Sequence, residues 1–570
     1  MDLDLDVLTS VGSPNDGMSF VDTPGTAHFA LAEVEDPDGV ALRVERSQLD
    51  FEWGTGNLDG GILILESDQH RVVGETVTSD VNTALEILDS PGGFVRLASI
   101  STLDAPGLDV TFSPDQVVEL DDLFVSVTGR DAVLFTSNSA ARMALHDASG
   151  SSYSYADGGR ALVFGHVALD PFHISSVRAI ASGTEGVFLS DTGPGPVFIG
   201  TEGTCFSDGA CSSVIEASGT AVHLTDAGGV TLAGIGLSSQ DRCTNLTRVS
   251  SLSIFDSTLT CGSSRAAVQI AHPIDALALR DVRIDCDRVG VIVDDARGSV
   301  TLQNVSMQAD GVAVTSRTPG VMMSVDGLDL ECDTFGGLGV FGAVSTGTSG
   351  SSRLDAVVTN STVTGCGGVG MTSAGAGSSG TMTVEGVTIG DPNGDFPGAL
   401  WFRVQQGGVL GAGVREVGVA QASTGVFLEG TTPGMLDVVV ADTALDVTEK
   451  AIVAGASAAT VRADLSAVVT TAPVALDAIA GGGALHVTAT GFDAPSSAFV
   501  AESDLGTLCL DASLNTVASI QVGRTAGGFV LPGYPGAGTD GVAVEAYLAG
   551  QNAAASVQAS PGGAPGFIVG

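Results

Sequence analysis

Positive charge is what this chain has least of: one lysine, Lys450, and 21 arginines stand against 66 Asp and Glu residues, a formal charge of -44 over 570 residues. Such a surface repels phosphate backbones and anionic lipid headgroups, so no nucleic-acid partner is expected. Aromatic residues are scarce at 5%, with Trp53 and Trp401 the only tryptophans, which leaves few of the flat rings on which sugars stack. No window of 18 apolar residues exists, so no spanning helix and no membrane insertion are expected. The start, Met1-Asp-Leu-Asp-Leu-Asp6, lacks the basic and apolar regions of a secretory leader. Export would therefore need a removed leader, a longer parent chain or another route. No CxxC pair, no Gly-x-Ser-x-Gly elbow and no phosphate-cradling glycine loop leading into a helix is found, which leaves zinc ribbons, α/β-hydrolase nucleophiles and nucleotide sites without a carrier.

What is present is 78 glycines and a 44% hydrophobic content rich in aliphatic residues, enough to bury a large core. Between about 219 and 470 these residues fall into a repeat: apolar, any, apolar, any, a turn residue, two further positions and a last apolar residue. Val300-Thr-Leu302-Gln-Asn304-Val-Ser-Met307 shows it, as do Leu277–Ile284, Met323–Leu330 and Met382–Ile389. The last apolar position recurs at Leu237, Leu259, Ile284, Met307, Leu330, Val363, Ile389, Val419, Leu445 and Val468, at intervals of 22 to 33 residues. These are solenoid periods. The turn position is Gly234, Asp256, Asp281, Asn304, Gly327, Asn360, Gly386, Glu416, Asp442 or Asp464, mostly residues that tolerate left-handed backbone, so the chain is expected to bend there between two strands. Successive coils would stack ~4.8 Å apart and close their core only through their neighbours. Looser copies extend upstream through Leu108–Phe112, Val117–Leu120 and Leu123–Val127.

In coil length and in the Asn or Gly at the second bend, the repeat resembles the right-handed parallel β-helix proteins of pectin-lyase-like architecture. The resemblance implies an all-β solenoid over residues 101–495. Residues 1–100 hold strand-like runs without the frame and are expected as an N-terminal β cap or small β unit. Residues 496–570, with a helical period over Asp540–Asn552, resemble the closing segment of long bacterial surface β-repeat proteins, and a capping role is expected. Stretches around 340–355 and 391–400 are expected as loops leaving the bends.

Few residues point to chemistry. The eight cysteines suggest an oxidising compartment, extracellular or at a cell surface. Cys205 and Cys211 close a short loop. Cys261 and Cys286 occupy equivalent positions one coil apart, and Cys332 and Cys366 do so with an offset of one, which makes both pairs disulfide candidates beside the alternative of buried thiols. Asp391-Pro-Asn-Gly-Asp395 places oxygen donors at Asp391, Asn393 and Asp395, the opening of a calcium-loop spacing without the closing Glu, so Ca2+ is the one cofactor considered. Enzymes of the resembling family act on acidic polysaccharides. The acids Asp281, Asp285, Asp287, Asp294 and Asp295, interleaved with Arg280, Arg283 and Arg288, could form a carboxylate pair for such chemistry, but the alternation is that of a solvated strand face. Asp170-Pro-Phe-His173 is similar to the Asp-Pro-His signature of β-helix epimerases, with Phe172 inserted so that His173 falls on the other strand face. With no convergent catalytic set, the expectation is a non-catalytic structural or adhesive solenoid that associates with itself, head-to-tail or laterally, or with surface glycans; a polysaccharide lyase or hydrolase is the alternative.

Overall fold

The computed structural model describes all residues except 263–265, 272–273, 333–336, 347–350, 393–396, 525–527, 533–540 and 561–570. The chain is all-β, 68% strand and 2% helix, and forms a parallel β-solenoid of about 21 turns. It divides into two compact units, Met1–Cys286 and Asp287–Gly570.

In the first unit the coils begin at once. Strand Asp2–Val11 pairs in parallel with Gly25–Glu35, and one outward column runs Asp2, Thr26, Asp50, Arg71, Phe94, Val117, each residue one coil above the last. The strands of residues 1–100 are therefore part of the same parallel stack. They form coils like those that follow, and several of their corners, Arg46, Glu66 and Phe112, are not the Gly, Asn or Asp that mark the frame. The alternation of strand residues sends every second side chain inward, and part of this core is an aromatic cluster: Phe51 lies 5.4 Å from Phe29 and 5.6 Å from Trp53 between ring centroids. Gly74 stands over the indole, where a Cβ would come within 2.1 Å of Trp53, so only glycine lets the next coil close over that ring.

The corners of these coils are left-handed at Asp22, Arg46, Glu66, Asp89 and Phe112, with φ between 47° and 52°. Each is followed by a hydroxyl residue. The Thr23 N–H donates to Ser47 Oγ at 2.9 Å, and the N–H groups of Ser47, Ser67 and Ser90 donate to the Oγ of Ser67, Ser90 and Ser113, each at 3.1 Å. Each of those serine hydroxyls in turn donates to the carbonyl two residues before it, on Glu45, Leu65, Leu88 and Thr111. This buried ladder satisfies the backbone where the strand hydrogen bonds stop.

In the second unit the repeat frame holds. Strand pairs such as Ser352–Thr359 on Ser378–Glu385 and Val409–Arg415 on Met435–Ala456 stack in register. Every last apolar position of the frame, in both units, is buried. Nine of the ten expected bend residues have positive φ; at the tenth, Asp464 lies inside strand Thr460–Thr470 and Ala467 takes the left-handed conformation instead, at φ 50°. The stretch expected as a loop over 340–355 is largely strand, Gly339–Ser345 and Ser352–Thr359. Toward the end, coils continue through Asp493–Ser503 and Thr516–Arg524 before helix Gly541–Gln551, and strand Ala553–Ser560 pairs with Thr516–Arg524. The helix buries Val544 and Leu548. No helix of the described residues is long and apolar enough to cross a membrane.

Candidate functional site

Parallel stacking has a chemical consequence: residues a full coil apart in sequence become side-by-side neighbours on the outer face. In the first unit this sets Glu86, on strand Leu85–Leu88, directly against Asp109, on strand Leu108–Thr111. The two carboxylates line an open groove of about 520 Å³ together with Val81, Leu108, Arg130 and Asp131. Thr111 Oγ1 donates to Asp109 Oδ1 at 2.7 Å, and Arg160 fixes Asp131 with Nη2 2.7 Å from Oδ2. Partial burial pushes the Glu86 carboxyl above its ordinary range, and the Asp109 charge pushes it further in the same direction. A carboxyl whose pKa is raised beside a second acid is the kind of group that general-acid catalysis uses. This pair escaped the sequence reading because its members belong to different coils and neither sits in a local motif.

The acids singled out in sequence are placed differently. Asp281 is a left-handed corner, φ 55°, with Arg280 Nε 3.5 Å from its carboxylate; Arg280 also reaches Glu202 at 3.2 Å and lies 4.6 Å from the Phe255 ring centre. Asp285 is exposed. In the second unit Asp287 and Asp294 are exposed, and Asp295 is a corner whose carboxylate accepts the Arg317 N–H at 3.1 Å. These acids serve turns and solvated faces. His173 packs edge-on against Phe198 at 4.9 Å, while Phe172 beside it is buried, so the two do fall on opposite strand faces. The carboxylate nearby is Asp147, which accepts the Ser152 N–H at 2.8 Å and the Ser175 hydroxyl.

For metals, Asp391 is an exposed corner at φ 45°, and Asn393 and Asp395 lie outside the described residues. A group not singled out in the sequence is His28, Asp50 and Glu52, whose donor atoms lie within 4.8 Å of one another. There the Arg71 Nη1 stands 2.9 Å from Asp50 and 2.8 Å from Glu52, supplying the positive charge a cation would bring.

The cysteines form three bridges. Cys205 pairs with Cys211 and Cys332 with Cys366, at Cα separations of 4.3 and 5.2 Å. Cys261 stacks on Cys286 in register, but its bridge goes to Cys243, 5.7 Å away between Cα atoms, and Cys286 remains a buried thiol. The expected Cys261–Cys286 bridge is thus replaced. Cys243 lies on strand Arg242–Thr247, just past Ser239, over which Cys261 stacks, so it comes round the corner to the same sulfur. Equivalence along the stack alone could not register a neighbour from around the bend.

Comparison with protein-family models finds no matching family, and comparison with curated proteins finds no match.

Proposed function

We propose that the chain is an extracellular or cell-surface structural solenoid, with an adhesive or spacer role, that works by presenting outward positions stacked coil upon coil on a strongly acidic chain. The observation that carries this reading is the parallel register itself: columns such as Asp2 to Val117 repeat one outward position coil after coil, which is the design of a scaffold. Three disulfides are compatible with an oxidising compartment. Negative-stain electron microscopy with mass photometry tests it. Filaments or defined oligomers are the expected result, and strictly monomeric particles that bind no cell surface or glycan array would overturn it.

A second reading, a polysaccharide lyase or hydrolase, is favoured by the Glu86–Asp109 groove. Its test is a polysaccharide degradation screen on the wild-type chain and on Glu86→Gln. Product release that Glu86→Gln abolishes would establish catalysis; release by neither would leave the groove as part of the scaffold face.

A further inference from the structure

The three cysteines at the end of the first unit are arranged in a way that a structural staple does not require. Cys261 closes strand Ser251–Cys261 and Cys286 closes strand Ala276–Cys286, and the two are register partners on adjacent parallel strands. Both point inward, 5% and 6% exposed, and Cys243 is 0% exposed. Adjacent parallel strands lie ~4.8 Å apart, inside the Cα window of about 4.4–6.8 Å that a disulfide spans. The bridge to Cys243, at 5.7 Å, is inside it too. Cys261 therefore has a permitted partner on either side, and the one it does not use is a thiol next to an existing disulfide.

We propose that Cys243, Cys261 and Cys286 form an intramolecular thiol–disulfide exchange site, in which the cross-link moves one coil along the stack. Cys286 gives its proton to solvent, and its thiolate attacks Cys261 Sγ. The Cys261–Cys286 bond forms as the Cys243–Cys261 bond breaks, the electron pair leaves on Cys243 Sγ, and Cys243 takes up a proton. One disulfide and one thiol enter and leave the step, so no oxidant or reductant is consumed. Burial of all three sulfurs confines the exchange to the triad and keeps bulky external thiols out. In one state the bridge ties strand Arg242–Thr247 to the coil above it; in the other it ties that coil to the next, and strand Arg242–Thr247 is released from the cross-link.

Tryptic cleavage separates the three residues into peptides 243–248, 249–265 and 284–288, which makes the linkage directly readable. The intact chain is incubated at pH 8.5 without added redox reagents, quenched in acid, unfolded, blocked with N-ethylmaleimide and mapped by mass spectrometry. The expected result is label divided between Cys243 and Cys286, with both bridged peptide pairs present and exchange at least tenfold slower at pH 5.5, where thiolate is scarce. In Cys243→Ser, oxidised in air, the Cys261–Cys286 bridge should form in most molecules. Cys286→Ser serves as the control in which the Cys243–Cys261 bridge stays fixed. Label confined to Cys286 in the wild-type chain, or two reduced thiols at 261 and 286 in Cys243→Ser, overturns the proposal. The wild-type measurement stands even where a variant fails to fold.

Discussion

The corners of the N-terminal coils, Asp22, Arg46, Glu66, Asp89 and Phe112, and those of the second unit, Asn304, Gly327, Asn360, Gly386, Glu416 and Asp442, hold the same left-handed backbone by different means. In the first set the next residue is Thr or Ser, and Ser47, Ser67, Ser90 and Ser113 are buried rungs of a hydrogen-bonded ladder. In the second set it is usually a buried aliphatic: Val305, Leu328, Val387 and Val417 are each at most 2% exposed. Where the ladder exists, the corner itself can be Arg, Glu or even Phe, although left-handed backbone costs such residues ~1–2 kcal/mol. Where a buried aliphatic replaces it, the corners are Asn304, Gly327, Gly386 and Glu416; Asn360 keeps a rung of the first kind, since the Ser361 hydroxyl after it accepts the Leu328 N–H at 3.1 Å. A corner can thus be stabilised through its own backbone preference or through its neighbour's hydrogen bonds, and one support relaxes the demand on the other.

The largest expected effect lies near the C-terminal end, where a left-handed leucine depends wholly on the hydrogen bonds of its neighbour. Asn515, following the left-handed Leu514, accepts the Phe492 N–H at 2.9 Å and donates to Ala489 O at 2.9 Å and to Asn552 Oδ1 at 2.7 Å. It is 1% exposed. Asn515→Ala leaves several buried groups without partners and should destabilise the final coils by ~3 kcal/mol, seen as lost amide-exchange protection at Phe492 and in the strand Asp493–Ser503 that follows it. Next is Ser90→Ala, which removes one rung and strands the Ser67 N–H. A loss of ~1.5 kcal/mol is expected, read as about tenfold faster exchange at that amide, whereas an unchanged rate would show the ladder to be dispensable.

Smaller and of opposite sign is Phe112→Gly. Phe112 is 61% exposed with φ 51°, so the substitution relieves backbone strain and loses little packing; a gain of ~1 kcal/mol is expected in the thermal midpoint. Asn360→Gly, already at a residue suited to the conformation, should gain almost nothing by the same measurement. The smallest effect is a pH slope. His70 is buried below the ladder, its Nδ1 2.8 Å from Ser67 O, and burial pushes its pKa below the ordinary value, against the opposing hydrogen bond to Ser67 and the nearby Asp68. A depressed histidine contributes stability that is present above its unfolded pKa of ~6.5 and lost as the pH falls through the folded one. The wild-type midpoint should therefore fall relative to that of His70→Gln as the pH is lowered below ~6.5, and parallel curves would refute the assignment.

The solenoid of the middle and second unit was legible because its corner residue and its inward apolar residues share one short frame, and strand alternation is a local signal. The N-terminal coils were not legible, since a Ser after Arg46 or Phe112 carries no mark that distinguishes a buried rung from a surface hydroxyl. Ala467 as a corner was hidden for the same reason: its left-handed φ is imposed by the coils it stacks between, against its own preference. The candidate groove was beyond reach, because Glu86 and Asp109 meet only through inter-coil register. Cysteine positions showed the stacking of Cys261 on Cys286 but not the approach of Cys243 from around the bend.

The Cys332–Cys366 bridge joins residues 34 apart in sequence. If the chain were pulled from its two ends, tension would pass across the sulfur bond and bypass the intervening segment, which would stay slack. At about 3.4 Å per extended residue, some ~115 Å of contour would be withheld from stretching. Held between two attachments, the chain would therefore carry a force-shielded segment in its second unit, one that lengthens under load only after the bridge is reduced.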